Sequence, residues 1–172
     1  MWIIDPLDGT REFTEAGRED WAVHVALWQR GALVAGAVAL PARGLTLSTA
    51  APPSPPAIDG PLRILVSRTR PPAIAGHVAR AMGAELVPLG SAGAKIMGVV
   101  LGDAHAYIHA GGQHEWDSAA PVAVAEAAGL HVCRLDGSRL RYNQRDPRLS
   151  DLVVCRPELA PSLRRAIASA IV

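Results

Sequence analysis

The sequence of 172 residues lacks several features that define special classes of protein. It has only two cysteines, Cys133 and Cys155, and their spacing fits neither a disulfide framework nor a zinc motif. No apolar run approaches the roughly 18 residues of a membrane span. No basic segment precedes the apolar N-terminus, as it would in a signal peptide. These absences predict a protein of the reducing cytoplasm with no membrane partner.

An excess of charge of one sign is also missing, because the formal net charge is +1 and no basic stripe runs along the chain. Binding of nucleic acid through bulk electrostatics is therefore not expected. Apolar residues make up 49% of the chain and charged residues 19%, which excludes a disordered chain. A chain near this length buries about 68–70% of its unfolded surface. We expect one domain, or a large part of one, with a real core.

Residues 1–61 combine a short strand, a charged loop and an antiparallel meander. The proline-rich stretch AAPPSPPAIDGP then predicts a surface loop between two layers, because proline is excluded from the interior of strands and helices. The predicted strands are residues 2–4, 21–28, 32–40 and 45–48, and the first loop covers residues 5–17.

Residues 62–172 alternate between strand and helix patterns, which predicts an α/β layered fold. Proline at a helix start and glycine just beyond a helix end support the helix assignments. The predicted strands are residues 62–67, 85–89, 104–109, 130–134 and 152–155, and the predicted helices are residues 71–82, 92–101, 118–128 and 158–171.

Two carboxylates, Asp5 and Asp8, stand close together in WIIDPLDGTREF. Neighbouring carboxylates repel each other unless a positive group lies between them, and Mg²⁺ prefers such oxygen ligands. Gly9 allows close backbone approach, and Thr10 adds a hydroxyl and an N–H suited to phosphate. The alternative is a capped Asp-Gly turn without metal.

A third carboxylate, Asp117, follows a predicted strand and precedes the helix SAAPVAVAEAAG. Such strand-to-helix edges are where α/β sheets bind ligands. Taken alone, Asp117 is weak evidence for a site, because an aspartate at the start of a helix is most often only a cap.

The two segments together, WIIDPLDGTREF and WDSAAPVAVAEAAG, resemble the inositol monophosphatase family of Mg²⁺-dependent, lithium-sensitive phosphatases. The family pattern is an apolar strand, Asp-Pro-(Ile/Leu)-Asp-Gly-Thr and, later, Trp-Asp-x-Ala-Ala. The resemblance runs over nearly the whole chain. It implies an α-β-α-β-α sandwich of the sugar-phosphatase type. Residues 1–172 would form one partial domain without the N-terminal helices and first strands, with residues 1–61 and 62–172 as its two parts.

Four segments look like the CysQ-type branch, which removes the 3′-phosphate from 3′-phosphoadenosine 5′-phosphate (PAP) in sulfate assimilation. They are Arg11-Glu12-Phe13, residues 66–70 (VSRTR), residues 90–95 (GSAGAK) and residues 116–121 (WDSAAP). Activity on inositol phosphate or fructose 1,6-bisphosphate, and a non-catalytic nucleotide-binding remnant, stay open as alternatives. A homodimer also stays open.

The resemblance implies a role for each matching residue. Two or three Mg²⁺ ions would be held, with Li⁺ and Ca²⁺ as inhibitors, and Thr10 with Asp8 would serve catalysis. The metal ligands would be Asp5, the Leu7 carbonyl, Asp8 and Asp117. The substrate contacts would be Gly9, Thr10, Ser67, Arg68, Arg70, Ser91, Lys95 and Asp117. For each arginine a solvated strand end is the alternative.

Other polar residues are given structural roles. We expect His109 and His114 to be structural or at the rim of the site, and Trp116 to lie in the core. Family members also carry a Gly-Glu-Glu strand before the Asp-Pro-Leu-Asp segment, whose glutamate bridges metals, and an acidic partner for the threonine. The 172 residues contain neither of these elements, so we expect weak or no phosphatase activity from them. A valine is usual where Met1 stands, which suggests a GTG start codon.

Overall fold

A computed structural model describes residues 1–171, which form two β-sheets and five α-helices. The strands are β1 (Trp2–Asp8), β2 (Ala22–Gln29), β3 (Ala32–Leu40), β4 (Leu45–Ser48), β5 (Arg63–Ser67), β6 (Glu85–Leu89), β7 (Ala106–His114), β8 (His131–Cys133) and β9 (Arg148–Cys155). The helices are α1 (Thr10–Thr14), α2 (Ala73–Met82), α3 (Ala92–Leu101), α4 (Glu115–Ala127) and α5 (Ala160–Ile171). Within these residues no helix combines the length and apolar character needed to cross a bilayer.

The first sheet is the antiparallel meander that the sequence predicted, with the strand order β1-β2-β3-β4. Its buried face carries Ala22, Ala26 and Val38 and packs against α3 and α4. Gly36 makes this packing possible, because a Cβ there would lie 2.8 Å from the Cβ of Ala123 in α4. The opposite face exposes apolar side chains, Trp2 among them, which is 61% exposed.

The second sheet has the order β6-β5-β7-β9-β8. Strand β5 is parallel to β6 and β7, whereas β9 is antiparallel to β7 and β8. Helices α3 and α4 lie between the two sheets, and α2 and α5 cover the outer face of the second sheet. The layers are therefore sheet, helices, sheet and helices, which are four of the five layers of the predicted sandwich.

The structure corrects the expected loop over residues 5–17. Strand β1 continues to Asp8, with an irregularity in its pairing between Asp5 and Asp8, and residues 10–14 form the short helix α1. Turn-forming residues fit inside a strand at such an irregularity, because Pro6 has no N–H to give to the ladder.

The second correction concerns the helix expected over residues 118–128. Helix α4 begins at Glu115, so Asp117 lies in its first turn rather than before it. Strand β7 runs directly into this helix at His114. The remaining predicted strands and helices are confirmed within a few residues, with two exceptions: β7 continues past the predicted end at residue 109 to His114, and β9 starts early, at Arg148.

Candidate metal and phosphate site

The structure brings together Asp5 and Asp8 from β1 and Asp117 from α4. One oxygen atom from each of the three carboxylates lies within 4.8 Å of the other two. Asp5 and Asp8 are each only 8% exposed. Burial raises the pKa of Asp5 and of Asp117, and the negative charge of the neighbouring carboxylates raises both further. A divalent cation would relieve this repulsion, and the all-oxygen donor set fits Mg²⁺.

Backbone groups orient two of these carboxylates. The N–H of Leu7 donates to Oδ1 of Asp5 at 3.0 Å. The N–H of His114 donates to Oδ2 of Asp117 at 2.7 Å, which forms part of a capping box at the start of α4. The cap interpretation of Asp117 and the metal interpretation are therefore compatible, since the cap uses one of its two oxygens.

Asp8 is held by the start of α3. Its Oδ2 accepts hydrogen bonds from Oγ of Ser91 at 2.5 Å and from the N–H of Gly93 at 2.7 Å. Nε2 of His24 lies 3.4 Å from the same oxygen, while Nδ1 of His24 is 3.1 Å from the carbonyl of Trp116. These contacts fall on Oδ2, so Oδ1 is the oxygen that a cation would use.

Gly9 and Thr10 start the short helix beside this cluster. Gly9 has a φ of 85°, and a Cβ there would lie 3.0 Å from the Cβ of Ser91, so both the backbone conformation and the available space require glycine. Oγ1 of Thr10 donates to the carbonyl of Leu7 at 3.3 Å. That carbonyl keeps a second lone pair, and its predicted role as a metal ligand stays a prediction.

A cleft of about 240 Å³ opens beside the carboxylates. Nine of the eleven residues predicted for the site line it, the exceptions being Asp5 and Leu7. The nine are Asp8, Gly9, Thr10, Ser67, Arg68, Arg70, Ser91, Lys95 and Asp117. Segments that are far apart in the sequence, from the first acidic motif to Asp117, therefore line one concave surface.

Three arginines line the cleft, and the two that were predicted to contact substrate, Arg68 and Arg70, differ in what they bind. The Arg68 guanidinium is paired with Glu12 and Glu15 at 2.8 Å each, and these bonds raise its pKa. The Arg70 side chain is exposed and forms no hydrogen bond or ion pair among the described residues. Among the described residues Arg70 is therefore an unpaired cation of the cleft, as is the exposed Arg11, and the predicted contact of Arg68 with substrate would compete with two carboxylates.

Lys95 lies at the floor of the cleft and is 4% exposed. Its Nζ donates to the carbonyls of Leu89, Gly90 and Ser91 at 3.2, 3.0 and 2.6 Å. Burial lowers the pKa of Lys95 to about 8, although nearby carboxylates oppose this. The predicted contact of Lys95 with substrate stays a prediction, and its amino group is already fully hydrogen-bonded.

Sequence reasoning did not predict that Glu12 is buried and paired with Arg68. It expected His109 to be structural or at the rim and did not include it among the site residues. Glu12 is 6% exposed and fits only because Gly90 lacks a Cβ, which would lie 2.2 Å from Cγ of Glu12. His109 lines the cleft, is 8% exposed and finds no hydrogen-bond partner for either ring nitrogen within residues 1–171. Burial, followed by the charge of Lys95, lowers the pKa of His109 to about 4. A polar residue in an otherwise apolar strand was the available signal for His109.

The expectation that Trp116 belongs to the core is wrong. Trp116 is 39% exposed and stacks on His114, with ring centroids 4.5 Å apart. The early start of α4 puts this side chain on the outer face of the first turn.

Comparison with known proteins agrees with this geometry. The pattern of the inositol monophosphatase family matches residues 1–53 and 59–171. The 3′-phosphoadenosine 5′-phosphate phosphatase of Mycobacterium tuberculosis is 55% identical over 179 residues, covering 99% of this chain and 67% of the relative. The 3′(2′),5′-bisphosphate nucleotidase CysQ of Escherichia coli K12 is 33% identical over 156 residues, covering 84% and 63%.

A solved structure shows the same fold. CysQ from Bacteroides thetaiotaomicron superposes with a TM-score of 0.75 and 27% identity over 91% of this chain and 69% of that one. The chain thus spans about two thirds of the length of the relatives it matches. The family match and the named relatives, together with the layered fold and the acidic site, identify a phosphoric monoester hydrolase. The chain belongs to the inositol monophosphatase family.

Proposed function

We propose that these residues carry the active site of a Mg²⁺-dependent phosphatase that hydrolyses the 3′-phosphate of PAP. The observation that carries the proposal is the convergence of Asp5, Asp8 and Asp117 beside a cleft that also presents the exposed guanidinium of Arg70. The 55% identity to a mycobacterial PAP phosphatase supports the choice of substrate. The free cysteines, both buried, fit a cytoplasmic protein.

The three carboxylates and the Leu7 carbonyl would hold two or three Mg²⁺ ions. When bound, these ions supply Lewis-acid charge stabilisation and a more acidic water. The N–H groups of Gly9 and Thr10 would bind the scissile phosphate where α1 begins. Since the Thr10 hydroxyl already donates its proton to Leu7, its lone pairs are left to accept a hydrogen bond from the attacking water.

The second phosphate of PAP would be bound at the opposite side of the cleft. Ser67 is the last residue of β5 and Arg70 lies in the turn that follows, where the backbone N–H of Arg70 donates to Oγ of Ser67 at 3.2 Å. This bond fixes the turn on which the free guanidinium is presented, and guanidinium geometry suits a phosphate. Inositol 1-phosphate has no second phosphate for Arg70, which favours the bisphosphate nucleotide.

Phosphate release with Mg²⁺ tests the proposal, with PAP, inositol 1-phosphate and fructose 1,6-bisphosphate as substrates. We expect PAP to be preferred, and Li⁺ or Ca²⁺ to inhibit. An equal or reversed preference would contradict the substrate assignment. If calorimetry showed that AMP binds while PAP was not hydrolysed, the result would instead favour the nucleotide-binding alternative.

A further inference from the structure

We infer that Lys95 is a positioning residue, which holds the loop 89–91 and, through Ser91, fixes the carboxylate of Asp8. The inference rests on the proposed function, because it concerns the same site. It differs from the substrate contact that the sequence pattern implied. The chain contains 17 lysines and arginines, and Lys95 is the single lysine among them.

The hydrogen bonds of Lys95 leave it no donor for a ligand. An ammonium group has three N–H donors, and here each one has a backbone carbonyl, on Leu89, Gly90 and Ser91. A phosphate that bound Nζ would have to displace one of these carbonyls from a buried position. Three successive carbonyls directed at one cation are a specific feature of this loop.

The loop has an unfavourable backbone that needs such support. Ser91 has φ 46° and ψ 135°, a region that non-glycine residues rarely occupy. The N–H of Gly90 donates to Oδ2 of Asp20 at 2.5 Å on the other side of the loop. An acidic residue thus binds the N–H side of the loop and a basic residue binds the carbonyl side.

The loop in turn sets the position of a predicted metal ligand. Oγ of Ser91 donates to Oδ2 of Asp8 at 2.5 Å and accepts from the N–H of Ala94 at 2.9 Å. A shift of the loop would therefore move or rotate the Asp8 carboxylate. Metal ligands depend strongly on the partners that orient them, typically by about 10–100-fold in affinity.

The loss of the Lys95 charge and the loss of its support for the loop have opposite expected effects on cation affinity in the variant Lys95→Met. Loss of a positive charge near Asp8 would, by electrostatics alone, strengthen cation binding. Loss of the loop support would weaken it. We expect Lys95→Met to raise the Kd for Mn²⁺ about 10-fold or more, measured on the metal-free protein by the electron paramagnetic resonance signal of free Mn²⁺.

Two further variants keep the test decisive. Arg70→Met removes a positive charge from the rim of the same cleft, and we expect unchanged or tighter Mn²⁺ binding from it. Ser91→Ala leaves Lys95 and its charge in place, and should weaken Mn²⁺ binding as Lys95→Met does. Because Lys95 and Ser91 act in series, the double variant should be little worse than either single one. Circular dichroism checks that each variant is folded, and Ser91→Ala carries the test if Lys95→Met does not fold.

The outcomes separate the inference from the proposed function. Unchanged or tighter Mn²⁺ binding by folded Lys95→Met would overturn the inference alone, and so would unchanged Mn²⁺ binding by Ser91→Ala. A PAP-specific rise in KM with unchanged Mn²⁺ affinity would restore the substrate contact. Failure of the wild-type chain to bind Mn²⁺ would overturn both. Mn²⁺ binding without PAP hydrolysis would count against the proposed function only.

Discussion

Ser91 and Asp8 are 83 positions apart in the chain, yet Oγ of Ser91 lies 2.5 Å from Oδ2 of Asp8. This bond joins the strand that carries the acidic motif to the first turn of α3, which packs between the two sheets. It leaves Oδ1 of Asp8 without a hydrogen bond among the described residues, and one oxygen of Asp8 lies within 4.8 Å of oxygens of Asp5 and Asp117. The acidic cluster is thus a tertiary feature, held by parts of the chain that are distant in sequence.

Replacing Asp117 by asparagine should lower activity without lowering the stability of the metal-free protein. We expect turnover of PAP to fall by at least about 100-fold, since a metal ligand is lost. The metal-free variant should be as stable as the wild type or more stable, because one of three mutually repelling carboxylates is gone while the amide oxygen can still accept from His114. Urea unfolding without metal, beside the activity assay, measures both. A strongly destabilised metal-free variant would contradict this account of the repulsion.

Metal binding should depend on pH in a fixed direction. The pKa values of Asp5 and Asp117 are raised, so these carboxyls keep their protons to a higher pH in the folded chain than in the unfolded one. Through them the metal-free protein loses stability as the pH rises past those pKa values, while metal binding strengthens over the same range. Mg²⁺ should therefore raise the Tm more at neutral pH than at mildly acidic pH. If Mg²⁺ raised the Tm more at mildly acidic pH than at neutral pH, the assignment of Asp5 and Asp117 as metal ligands would be contradicted.

Gly90→Ala should be destabilising by about 1–3 kcal/mol, because the added Cβ would meet Cγ of Glu12 at 2.2 Å and disturb its pair with Arg68. Gly76→Ala is the matched control. It lies inside α2 with its nearest neighbour, Nη1 of Arg80, at 3.7 Å, and should stabilise by about 0.5–1 kcal/mol. Chemical denaturation of both variants measures the difference. Equal stabilities would show that the contact with Glu12 relaxes without cost.

Arg68 and Arg70, two of the three arginines that line the cleft, should respond differently to substitution by glutamine. Arg70→Gln removes an unpaired cation, and we expect the KM for PAP to rise about 10–100-fold with little change for 3′-AMP, which lacks the second phosphate. Arg68→Gln leaves buried Glu12 without its partner and should mainly lower stability. If Arg68→Gln produced the PAP-specific rise in KM and Arg70→Gln did not, the roles would be reversed.

Local pattern was enough to predict most strands and helices, because alternation in β2 and β3 and the glycines after α2 and α3 act within a few residues. The resemblance supplied the residues of the site, and the structure brings nine of them to one cleft. The hydrogen-bond partners of these site residues could not be predicted from the sequence. The pairing of Arg68 with Glu12 follows from a contact between distant segments. The three carbonyls bound by Lys95 lie only four to six residues before it, and they converge on its amino group because of the backbone conformation of the loop 89–91, which the residue pattern did not reveal. Trp116 was misjudged because its exposure depends on where α4 starts, and helix boundaries are the least certain feature of a sequence pattern.

The most direct test of the metal centre is anomalous scattering from a crystal grown with Mn²⁺. The account predicts a peak within bonding distance of carboxylate oxygens from Asp5, Asp8 and Asp117 together. A peak elsewhere, or none at a Mn²⁺ concentration that saturates binding in solution, would contradict it.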